Sequence, residues 1–408
     1  MYKSSRMYEV PPTAGLPLKW RELLPGSRSL ESELASFVRT PSAQIECSAS
    51  AALVVALTTL KAHSARRQVV IPAYTCPLVA LAVVQAGLQP IACDTRAGHF
   101  DFSLDALRAA CNEHTLAVIP THLAGRLADM AAITDIARSA GAYVVEDAAQ
   151  ALGALWQGHA AGTVGDIGVY SLGVGKGLTI YSGGALVANT EALRQQLQAT
   201  SARIVHRKAK GDAKRMLQLV GYTALYRPAT LTSVYGVPLR RHLMHDRLIE
   251  AVGDNHDHTI PLYRVGSWRK TVGARALHRL SWYMAVTTVQ AIRRKTRLQH
   301  IPGITVLDDA PGDIGTWPCL LVLMPTQQAR DKALAILWPA GLGVGRMFIH
   351  ALPDYEDLAP FFSGGGTSGT PDTPNARDFA ARSLTISNSH WLKERDFERI
   401  CDILEKAV

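Results

Sequence analysis

Between residues 44 and 190, short apolar runs alternate with longer stretches of mixed small, apolar and polar residues. Continuous apolar runs are typical of strands that are covered on both faces, and the stretches between them are typical of helices. Five strands are predicted, at QVVIPA (68–73), PIACD (90–94), LAVIPTH (116–122), YVVEDAA (143–149) and IGVYSL (167–172). The pattern therefore predicts an α/β fold in which a mostly parallel central sheet is flanked by helices.

The stretches between the first strands carry helix signals. LVALAVVQAG (78–87) predicts a helix that ends at Gly87, and FSLDALRAACNEH (102–114) predicts a second helix with an Asp or Ser cap near its start. In parallel sheets of this kind, ligands bind beyond the carboxyl ends of the strands. The polar residues that directly follow the predicted strands are therefore the first candidates for a functional site.

The pattern changes after residue 195. Residues 195–300 are rich in Arg, His and Leu and predict helices that break at Pro228 and Pro238, followed by one long helix at 282–299. From about residue 303 the pattern is α+β. It predicts a strand at CLLVLMP (319–325), a helix at 326–341, a loop at FFSGGGTSGTPDTP (361–374) and a terminal amphipathic helix at 392–407.

These changes suggest a division of the chain into three parts. We expect an N-terminal arm (1–43), a large α/β domain (44–265), and a linking helix with a smaller α+β C-terminal domain (266–408). Within the large domain, the segment at about 200–265 is basic, helical and different in character from the rest.

The composition excludes several classes of protein. Of the 408 residues, 48% are hydrophobic and 19% are charged, which is an ordinary globular composition. The longest apolar runs are too short for a membrane span, and the N-terminus has no apolar core of a secretory signal. None of the six cysteines forms a C-x-x-C pair, so we expect reduced, buried cysteines, no metal site and a cytoplasmic location.

The net charge of +9 suggests partners that carry negative charge. Part of the excess is local, because RIVHRKAKGDAKR (203–215) contains six Lys or Arg residues and one Asp. This segment is either a solvated helix face or a phosphate-binding surface. The sequence contains no helix-turn-helix, RNP or zinc pattern, and no aromatic residues interleave with the basic ones. Nucleic acid is therefore not expected as a partner.

Two polar motifs could bind parts of one ligand. SASAAL (48–53) leads into a helix, so its backbone N–H groups and the hydroxyls of Ser48 and Ser50 could bind a phosphate, although Ser is also a routine helix cap. EDAAQ (146–150) follows a strand and offers a carboxylate and an amide, although its Asp could equally be a helix cap.

Two further residues are candidates for chemistry. Lys176 is the lone lysine of the Gly-rich stretch YSLGVGKGLTIYSGGAL (170–186), and a desolvated lysine amine can form a Schiff base with a carbonyl compound. A surface lysine in a turn is the alternative. His122 follows the strand LAVIP, where a histidine is either part of a site or a structural residue with satisfied hydrogen bonds.

Taken in order, these motifs resemble those of the DegT/StrS family of sugar aminotransferases, which are pyridoxal-phosphate (PLP) enzymes of fold type I. SASAAL resembles S-G-T-x-A-L, and the run from Ile71 to Asp94 resembles P-x-x-T followed by A, G, P and D at the family's spacing. PTHLAGRLADM resembles P-V-H-L-Y-G-x-x-x-D-M, the EDAAQ stretch resembles E-D-x-A-Q-x-x-G, and SLGVGK resembles S-F-x-x-x-K before a Gly-Gly turn at Gly183 and Gly184.

The resemblance implies roles for individual residues. Lys176 matches the lysine that forms the Schiff base with PLP, and Asp147 matches the acid that hydrogen-bonds the pyridine nitrogen and keeps the ring an electron sink. The remaining cofactor-binding matches are Gln150 at the phenolic oxygen, Ala49, Ser50 and Ser171 at the phosphate, and His122 near the site.

The sequence departs from the family pattern at three places. The aromatic residue that stacks on the cofactor ring is replaced by Cys76, so stacking would come from Tyr74 or be absent. Ala49 stands where the family has the middle Gly of S-G-T. The family's G-x-N-x-R-M segment, which reaches a neighbouring subunit's cofactor, has only the Asn-lacking stretch RKTVGARALHRL (269–280) as a counterpart. The segment 200–265 also matches the family poorly, and we expect it to shape the site where a substrate binds.

The resemblance implies a PLP-dependent aminotransferase that moves an amino group from L-glutamate or L-glutamine to a nucleotide-linked ketosugar, as in polysaccharide biosynthesis. Arg346 and the basic segment 203–215 are candidate contacts for a carboxylate or phosphate. Two alternatives remain: an aminotransferase that acts on a natural-product aldehyde or ketone, and a PLP-fold regulatory protein without turnover. A homodimer is implied by the family's shared sites.

Overall fold

The structure is a computed structural model that describes residues 8–207, 209–254, 259–362 and 371–408. The strands found in these residues are β1 (Gln44–Glu46), β2 (Gln68–Pro72), β3 (Gln89–Cys93), β4 (Thr115–Val118), β5 (Tyr143–Asp147), β6 (Leu155–Trp156), β7 (His159–Ala160), β8 (Ile167–Ser171), β9 (Gly184–Ala188), β10 (Thr305–Val306), β11 (Cys319–Leu323), β12 (Val344–Gly345) and β13 (Ser383–Ser387).

The helices of the first half lie between these strands or precede them. They are α1 (Leu30–Phe37), α2 (Ala49–Ala62), α3 (Pro77–Gln85), α4 (Leu104–Ala110), α5 (Met130–Ser139), α6 (Glu191–Ile204) and α7 (Ala209–Leu225). The helices of the second half are α8 (Pro228–Leu231), α9 (Val237–Met244), α10 (Leu248–Val252), α11 (Ser267–Leu277), α12 (Leu280–Gln299), α13 (Gln327–Leu337), α14 (Ala359–Phe362), α15 (Pro374–Arg382) and α16 (Glu394–Ala407). None of the described helices has both the length and the apolarity of a membrane span.

A seven-stranded sheet with the order β1-β9-β8-β5-β4-β2-β3 organises the larger part of the chain. The five strands predicted from the sequence are β2, β3, β4, β5 and β8, and they pair in parallel with one another. The two strands that were not predicted, β1 and β9, add to one edge in antiparallel orientation. The prediction of a mostly parallel sheet flanked by helices is therefore confirmed.

Local sequence signals explain where several helices begin and end. Helix α3 has Pro77 at its first position, where the missing N–H is not needed, and it stops just before Gly87, whose φ is +69°. Ser103 caps α4 by accepting a hydrogen bond from the N–H of Ala106. The helix is shorter than predicted, because the backbone becomes extended at Cys111.

The helices after residue 195 differ from the prediction at one proline. Pro228 begins α8, so the predicted break is found. Pro238 does not break a helix, because it lies in the first turn of α9, where a proline is tolerated, directly after a π-helical turn at Thr232–Gly236. Helix α12 spans the predicted long helix and extends it by two residues at its start.

The C-terminal part contains a four-stranded antiparallel sheet with the order β10-β11-β13-β12. Its core also includes Val10 from the N-terminal residues and Leu239 and Ala251 from the segment that precedes α11. The division of the chain at residues 43 and 265 stays a prediction, since these packing contacts cross both boundaries. Of the predicted loop 361–374, residues 363–370 lie outside the described residues, while Phe362 ends α14 and Pro374 begins α15.

Candidate active site

Lys176 lies at the carboxyl end of the parallel strands, in the turn that follows β8. Its ammonium group interacts electrostatically with the carboxylate of Asp147 and with the thiols of Cys76 and Cys319. Burial lowers the pKa of the Lys176 amine from its ordinary value, and the nearby acidic groups offset only part of this effect. Because burial raises the pKa of Cys76 to about 12, that thiol is protonated at neutral pH, and Asp147 supplies the counter-charge.

Asp147 is the last residue of β5 and is 5% exposed. Its Oδ1 atom accepts a hydrogen bond of 3.1 Å from the N–H of Ala149, and among the described residues Oδ2 has no donor. Burial raises the pKa of this carboxyl, and the positive charge of Lys176 partly offsets the rise. The site therefore holds a desolvated carboxylate with one free oxygen near a desolvated amine.

A close backbone approach brings Ser171 and the start of α2 together. Ser171, at the end of β8, is in register with Gly184 of β9. A Cβ atom on Gly184 would lie 2.3 Å from the carbonyl oxygen of Ser48, so only glycine allows this approach. The Ser48 hydroxyl caps α2 through the N–H of Ala51, which leaves the N–H groups of Ala49 and Ser50 without a partner among the described residues.

Gln150 lies three residues after Asp147, on the loop that follows β5. Its Oε1 atom accepts a hydrogen bond of 2.8 Å from the N–H of Ala124, and its Nε2 atom is 3.5 Å from the sulfur of Met347. These contacts fix the amide at the wall of the cavity that contains Lys176. The structure thus brings Lys176, Asp147 and Gln150 to one place, as their order in the sequence predicts.

His122 is fully buried and both of its ring nitrogens have partners. Nε2 lies 3.0 Å from Oε2 of Glu146, and Nδ1 accepts a hydrogen bond of 3.1 Å from the N–H of Ala128. Glu146 also accepts hydrogen bonds from the backbone N–H groups of Gly162, Val164 and Gly165. Of the two alternatives from the sequence, the contacts favour a structural histidine that supports the strand next to Asp147.

Tyr74 and Cys76 occupy different environments. Tyr74 is 1% exposed and packs edge-to-face against Phe348 and Phe379, with ring centroids 5.5 and 5.0 Å apart. Cys76 is half-buried at the start of α3 and interacts electrostatically with Lys176 and Asp147. Tyr74 therefore belongs to the hydrophobic core, and Cys76 is the residue of this pair that faces the site.

Arg346 and the stretch 269–280 make contacts within the chain. Arg346 donates through Nη2 to the carbonyl oxygens of Ile349 and Ala380, and its buried Nε has no partner among the described residues. Arg269 is fully buried, where it pairs with Asp212 and donates to the carbonyl oxygen of Ser182. Arg269 thus ties α7 and the turn after Lys176 to α11, a role that the sequence did not indicate.

The basic segment 203–215 is divided between several roles. Arg203, Arg207 and Lys214 are exposed, whereas Lys208 lies outside the described residues. Arg215 is the member that approaches the cavity, because its guanidinium lies 5.7 Å from the centroid of the Tyr181 ring and donates to Gln218. The segment is therefore mostly a solvated surface, with one cation at the site.

A cavity of about 590 Å³ opens beside Lys176. Sequence reasoning missed the tyrosines in its wall: Tyr181, Tyr222, Tyr226 and Tyr235. Three of them belong to the segment that was expected to shape a substrate site. Asp147, Ser171 and the start of α2 are not in this wall, whereas Gln150 and Lys176 are, and Lys176 interacts electrostatically with Asp147.

Asp147, Lys176 and the N-terminus of α2 fit the functional groups of pyridoxal phosphate. The free oxygen of Asp147 suits the pyridine nitrogen, the Lys176 amine suits the aldehyde, and the unpartnered N–H groups of Ala49 and Ser50 at the positive end of α2 suit the phosphate. The close approach at Gly184 brings Ser171 to the same end of α2.

The fold and this arrangement define a fold type I PLP-dependent transferase. The model of the DegT/DnrJ/EryC1/StrS aminotransferase family matches residues 15–225 of the chain, and the chain belongs to that family. The resemblance seen in the sequence is thereby confirmed.

Two curated relatives match the chain over part of its length. The pleiotropic regulatory protein of Geobacillus stearothermophilus is 37% identical over 32% of this chain and 35% of its own. The UDP-N-acetyl-3-dehydro-alpha-D-glucosamine 3-aminotransferase of Acidithiobacillus ferrooxidans is 33% identical over 40% of this chain and 44% of its own. The chain thus spans less than half the length of each of these relatives.

The solved structures extend the likeness in fold to nearly the whole chain. The aminotransferase PseC of Helicobacter pylori, involved in the biosynthesis of pseudoaminic acid, matches with a TM-score of 0.72 and 17% identity. The match covers 98% of each chain. At this identity the likeness concerns the fold alone.

Proposed function

We propose that this protein is a PLP-dependent aminotransferase that moves an amino group from an amino-acid donor, L-glutamate or L-glutamine, to a carbonyl acceptor. The observation that carries the proposal is the electrostatic pairing of the buried Lys176 amine with the Asp147 carboxylate, with Lys176 in the wall of a cavity. Family membership supports the same reaction class.

When bound, PLP would supply an electron sink that makes the α-hydrogen of the amino donor acidic. Asp147 would hold a proton on the pyridine nitrogen, because a buried carboxylate favours a positively charged partner. Lys176 would bind the cofactor covalently and, once released, move a proton at its Nζ atom. Its lowered pKa increases the fraction of the amine in the unprotonated form that both tasks need.

The net reaction is balanced without an outside oxidant or reductant. The donor's CH–NH2 becomes C=O and the acceptor's C=O becomes CH–NH2, so one amino group, one proton and two electrons pass from the donor to the acceptor. Within the site, Gln150 would contact the phenolic oxygen of the cofactor, and Ser171 would add a hydroxyl at the phosphate. The half-buried Cys76 would face the ring in place of an aromatic residue.

Two acceptor classes are candidates. A nucleotide-linked ketosugar is supported by the name of the relative from Acidithiobacillus ferrooxidans, which acts on a UDP-linked sugar. A natural-product aldehyde or ketone is supported by the cavity, because Lys176 is the one charged residue in its described wall. A diphosphate ordinarily needs cationic partners.

The central test is the visible absorption of the purified protein with PLP, before and after L-glutamate or L-glutamine is added. We expect a visible band of bound cofactor that bleaches with the donor and returns with a carbonyl acceptor. Lys176→Ala should bind PLP without forming this band, and an unchanged band in that variant would refute the role of Lys176. A band that ignores every amino donor would instead favour a regulatory protein without turnover.

Oligomeric state and location are part of the proposal. We infer a homodimer from the family resemblance, and sedimentation at several protein concentrations tests it. A cytoplasmic location is supported by the six free cysteines, since unpaired thiols persist in a reducing compartment. Fractionation of cells that express the protein with an epitope tag tests the location.

A further inference from the structure

The cavity beside Lys176 presents a mainly apolar surface. Its volume of about 590 Å³ is typical of a small-molecule site. Among the described residues of its wall, Lys176 is the one charged residue, and no carboxylate or guanidinium group is present. A ligand that fills this cavity therefore meets hydrocarbon surface rather than charge. The apolar residues of the wall include Val174, Leu225, Leu231, Val234, Pro318 and Met347.

Several polar side chains of the wall are already bonded within the chain. The Thr13 hydroxyl donates to the carbonyl oxygen of Gly175 at 2.7 Å, and the Tyr226 hydroxyl is directed to the carbonyl oxygen of Thr13 at 3.5 Å. The amide oxygen of Gln218 accepts a hydrogen bond of 2.9 Å from Arg215. These bonds direct the polar atoms toward the protein, so they reduce what a polar ligand would gain in the cavity.

Three apolar side chains of the wall are exposed to solvent. Val174, Leu225 and Val234 have 45%, 40% and 51% of their surface exposed, although each of them also lines the cavity. They therefore mark the side on which the cavity opens. Exposed apolar side chains that gather in one place are typical of a surface that binds an apolar partner. A hydrocarbon chain that enters the cavity on this side would cover them.

Tyr181 shows that the wall is held in place by the surrounding chain. Its φ is +72°, a left-handed backbone conformation that a bulky residue rarely adopts, and its ring lines the cavity. The Tyr181 N–H donates to the hydroxyl of Thr179 at 3.0 Å, and the buried Arg269 donates to the carbonyl oxygens of Ile180 and Ser182 on either side. Strained backbone of this kind is concentrated at sites that bind ligands. The cavity is therefore a pre-formed site rather than an accidental gap.

We propose that the acceptor is an uncharged aldehyde or ketone with an aliphatic chain, and that this chain lies in the cavity against the Tyr181 ring and the exposed apolar side chains at the opening. This inference rests on the aminotransferase function proposed above and selects the second acceptor class. The carbonyl group would lie toward Lys176, and the chain would extend toward Leu225 and Val234. Burial of the chain would favour binding, whereas a charged group would lose its hydration without gaining a partner.

The test compares acceptors in the second half-reaction. Protein that has been bleached with an amino donor and then freed of it is mixed with butanal, hexanal, octanal, 6-oxohexanoate or a UDP-linked ketosugar, and the return of the visible band is followed. We expect kcat/KM to rise by about two- to fourfold for each methylene group added from butanal to octanal, because each adds buried apolar surface. Hexanal should exceed 6-oxohexanoate, which has the same chain with a carboxylate at its end, by on the order of tenfold or more. A higher kcat/KM for the ketosugar than for octanal, or no dependence on chain length, would overturn the proposal.

Val234→Asp places a charge at the opening of the cavity, at a side chain exposed enough for the fold to tolerate it. We expect kcat/KM for octanal to fall by on the order of tenfold, because the chain would meet a hydrated carboxylate. Val234→Leu keeps an apolar surface and should retain the activity with octanal. Val289→Asp is the matched control, since Val289 is an exposed residue of α12 outside the described wall, and it should leave every acceptor unchanged. Equal losses in both Asp variants, or no loss in Val234→Asp, would contradict contact between the chain and Val234.

Calorimetry with 1-octanol, which has the aliphatic chain but no carbonyl group, separates this inference from the proposed function. Octanol binding that is weakened in Val234→Asp, in a protein that no donor bleaches, would support the cavity assignment and refute the aminotransferase. Bleaching by a donor with neither octanol binding nor turnover of the alkanals would refute the cavity assignment and leave the aminotransferase standing. That last result is the one expected if a second copy of the chain covers the opening.

Discussion

A Cβ atom on Gly184 would lie 2.5 Å from the backbone nitrogen of Ala49. Real side chains do not approach a backbone this closely, and the neighbouring atoms belong to the backbone, which cannot move aside cheaply. The strand β9 therefore touches the start of α2 only because residue 184 has no side chain. This contact holds Ser171 beside the Ala49 and Ser50 amides, where the phosphate of the cofactor would bind.

Gly184→Ala should therefore weaken both the fold and cofactor binding. We expect the free energy of unfolding to fall by about 1–3 kcal/mol, the usual cost of overpacking, and the affinity for PLP to fall as the amides shift. Chemical denaturation and titration of the cofactor-free protein with PLP measure the two effects.

Gly221→Ala is the matched control for that variant. Gly221 lies inside α7 and a Cβ there would meet no atom within 4 Å. Alanine is favoured over glycine inside a helix by about 0.5–1 kcal/mol, so this variant should be slightly more stable than the natural protein. The same loss of stability in both variants would mean that the contact at Gly184 has no special role.

A buried carboxylate next to the site gives a second prediction. Glu146 is fully buried and accepts hydrogen bonds from Gly162 and Val164, while His122 lies 3.0 Å away. Glu146→Gln would turn one acceptor oxygen into a donor that faces other donors. We expect a loss of about 1–3 kcal/mol in the free energy of unfolding, measured by denaturation.

Glu113→Gln tests whether that loss comes from the buried network. The Glu113 side chain is 81% exposed, so the same chemical change there should leave stability within about 0.5 kcal/mol of the natural protein. If Glu146→Gln lowers the free energy of unfolding no more than Glu113→Gln does, the buried hydrogen bonds around His122 contribute little to the stability of the fold.

The strands that are buried on both faces could be predicted from the sequence. Parallel strands that are covered on both faces read as continuous apolar runs, and β2, β3, β4, β5 and β8 were found in this way. The edge strand β1 was not predicted, because it is only three residues long and contains the polar residues Gln44 and Glu46. Strand β9 begins at Gly184, inside a Gly-Gly pair that reads as a turn.

The site was predictable where its residues belong to local motifs. Asp147 ends a strand, Gln150 and Lys176 follow strands, and the ends of parallel strands meet at one edge of the sheet. The cavity tyrosines were not predictable, since Tyr222 and Tyr226 look like ordinary core residues of an amphipathic helix. Only the cavity wall that they share with Pro12, Thr13 and the turn around Lys176 gives them a role.

The electrostatic relation between Lys176 and Asp147 gives a third prediction. Burial lowers the pKa of the Lys176 amine, and the Asp147 carboxylate partly restores it. In the cofactor-free protein, Lys176 should therefore react with a small acylating reagent at lower pH than a lysine of ordinary pKa would, because only the unprotonated amine reacts. Quantifying the acylation of Lys176 by mass spectrometry across a pH series gives its titration curve.

Substitution of Asp147 tests whether its negative charge raises the pKa of the Lys176 amine. Asp147→Asn removes the negative charge, so the reactivity of Lys176 should move to still lower pH. Asp135→Asn, at an exposed position of α5, should leave the curve of Lys176 where it was. A Lys176 curve centred at the ordinary pKa of a lysine in every variant would refute the desolvation of the amine.

A second buried carboxyl group lies near Cys76, where it affects the electrostatics of that thiol. Asp254 is 9% exposed and its Oδ2 accepts a hydrogen bond of 2.8 Å from the hydroxyl of Tyr355. Burial raises the pKa of this carboxyl from 3.8 to about 6, although Tyr355 and Arg346 oppose the rise. The native protein therefore keeps a proton on Asp254 at pH values where the unfolded chain has lost it.

This raised pKa makes the stability of the protein depend on pH. The contribution of Asp254 is fully present below about pH 4, its unfolded pKa, and is lost as the pH rises to about 6, a total of ~3 kcal/mol. Asp254→Asn is neutral at every pH and should lack this loss. Denaturation at a series of pH values should therefore show the variant gaining on the natural protein between pH 4 and 6 and keeping a constant lead above pH 7. A difference in stability that stays flat over this range would show that Asp254 titrates as an ordinary exposed carboxyl group does.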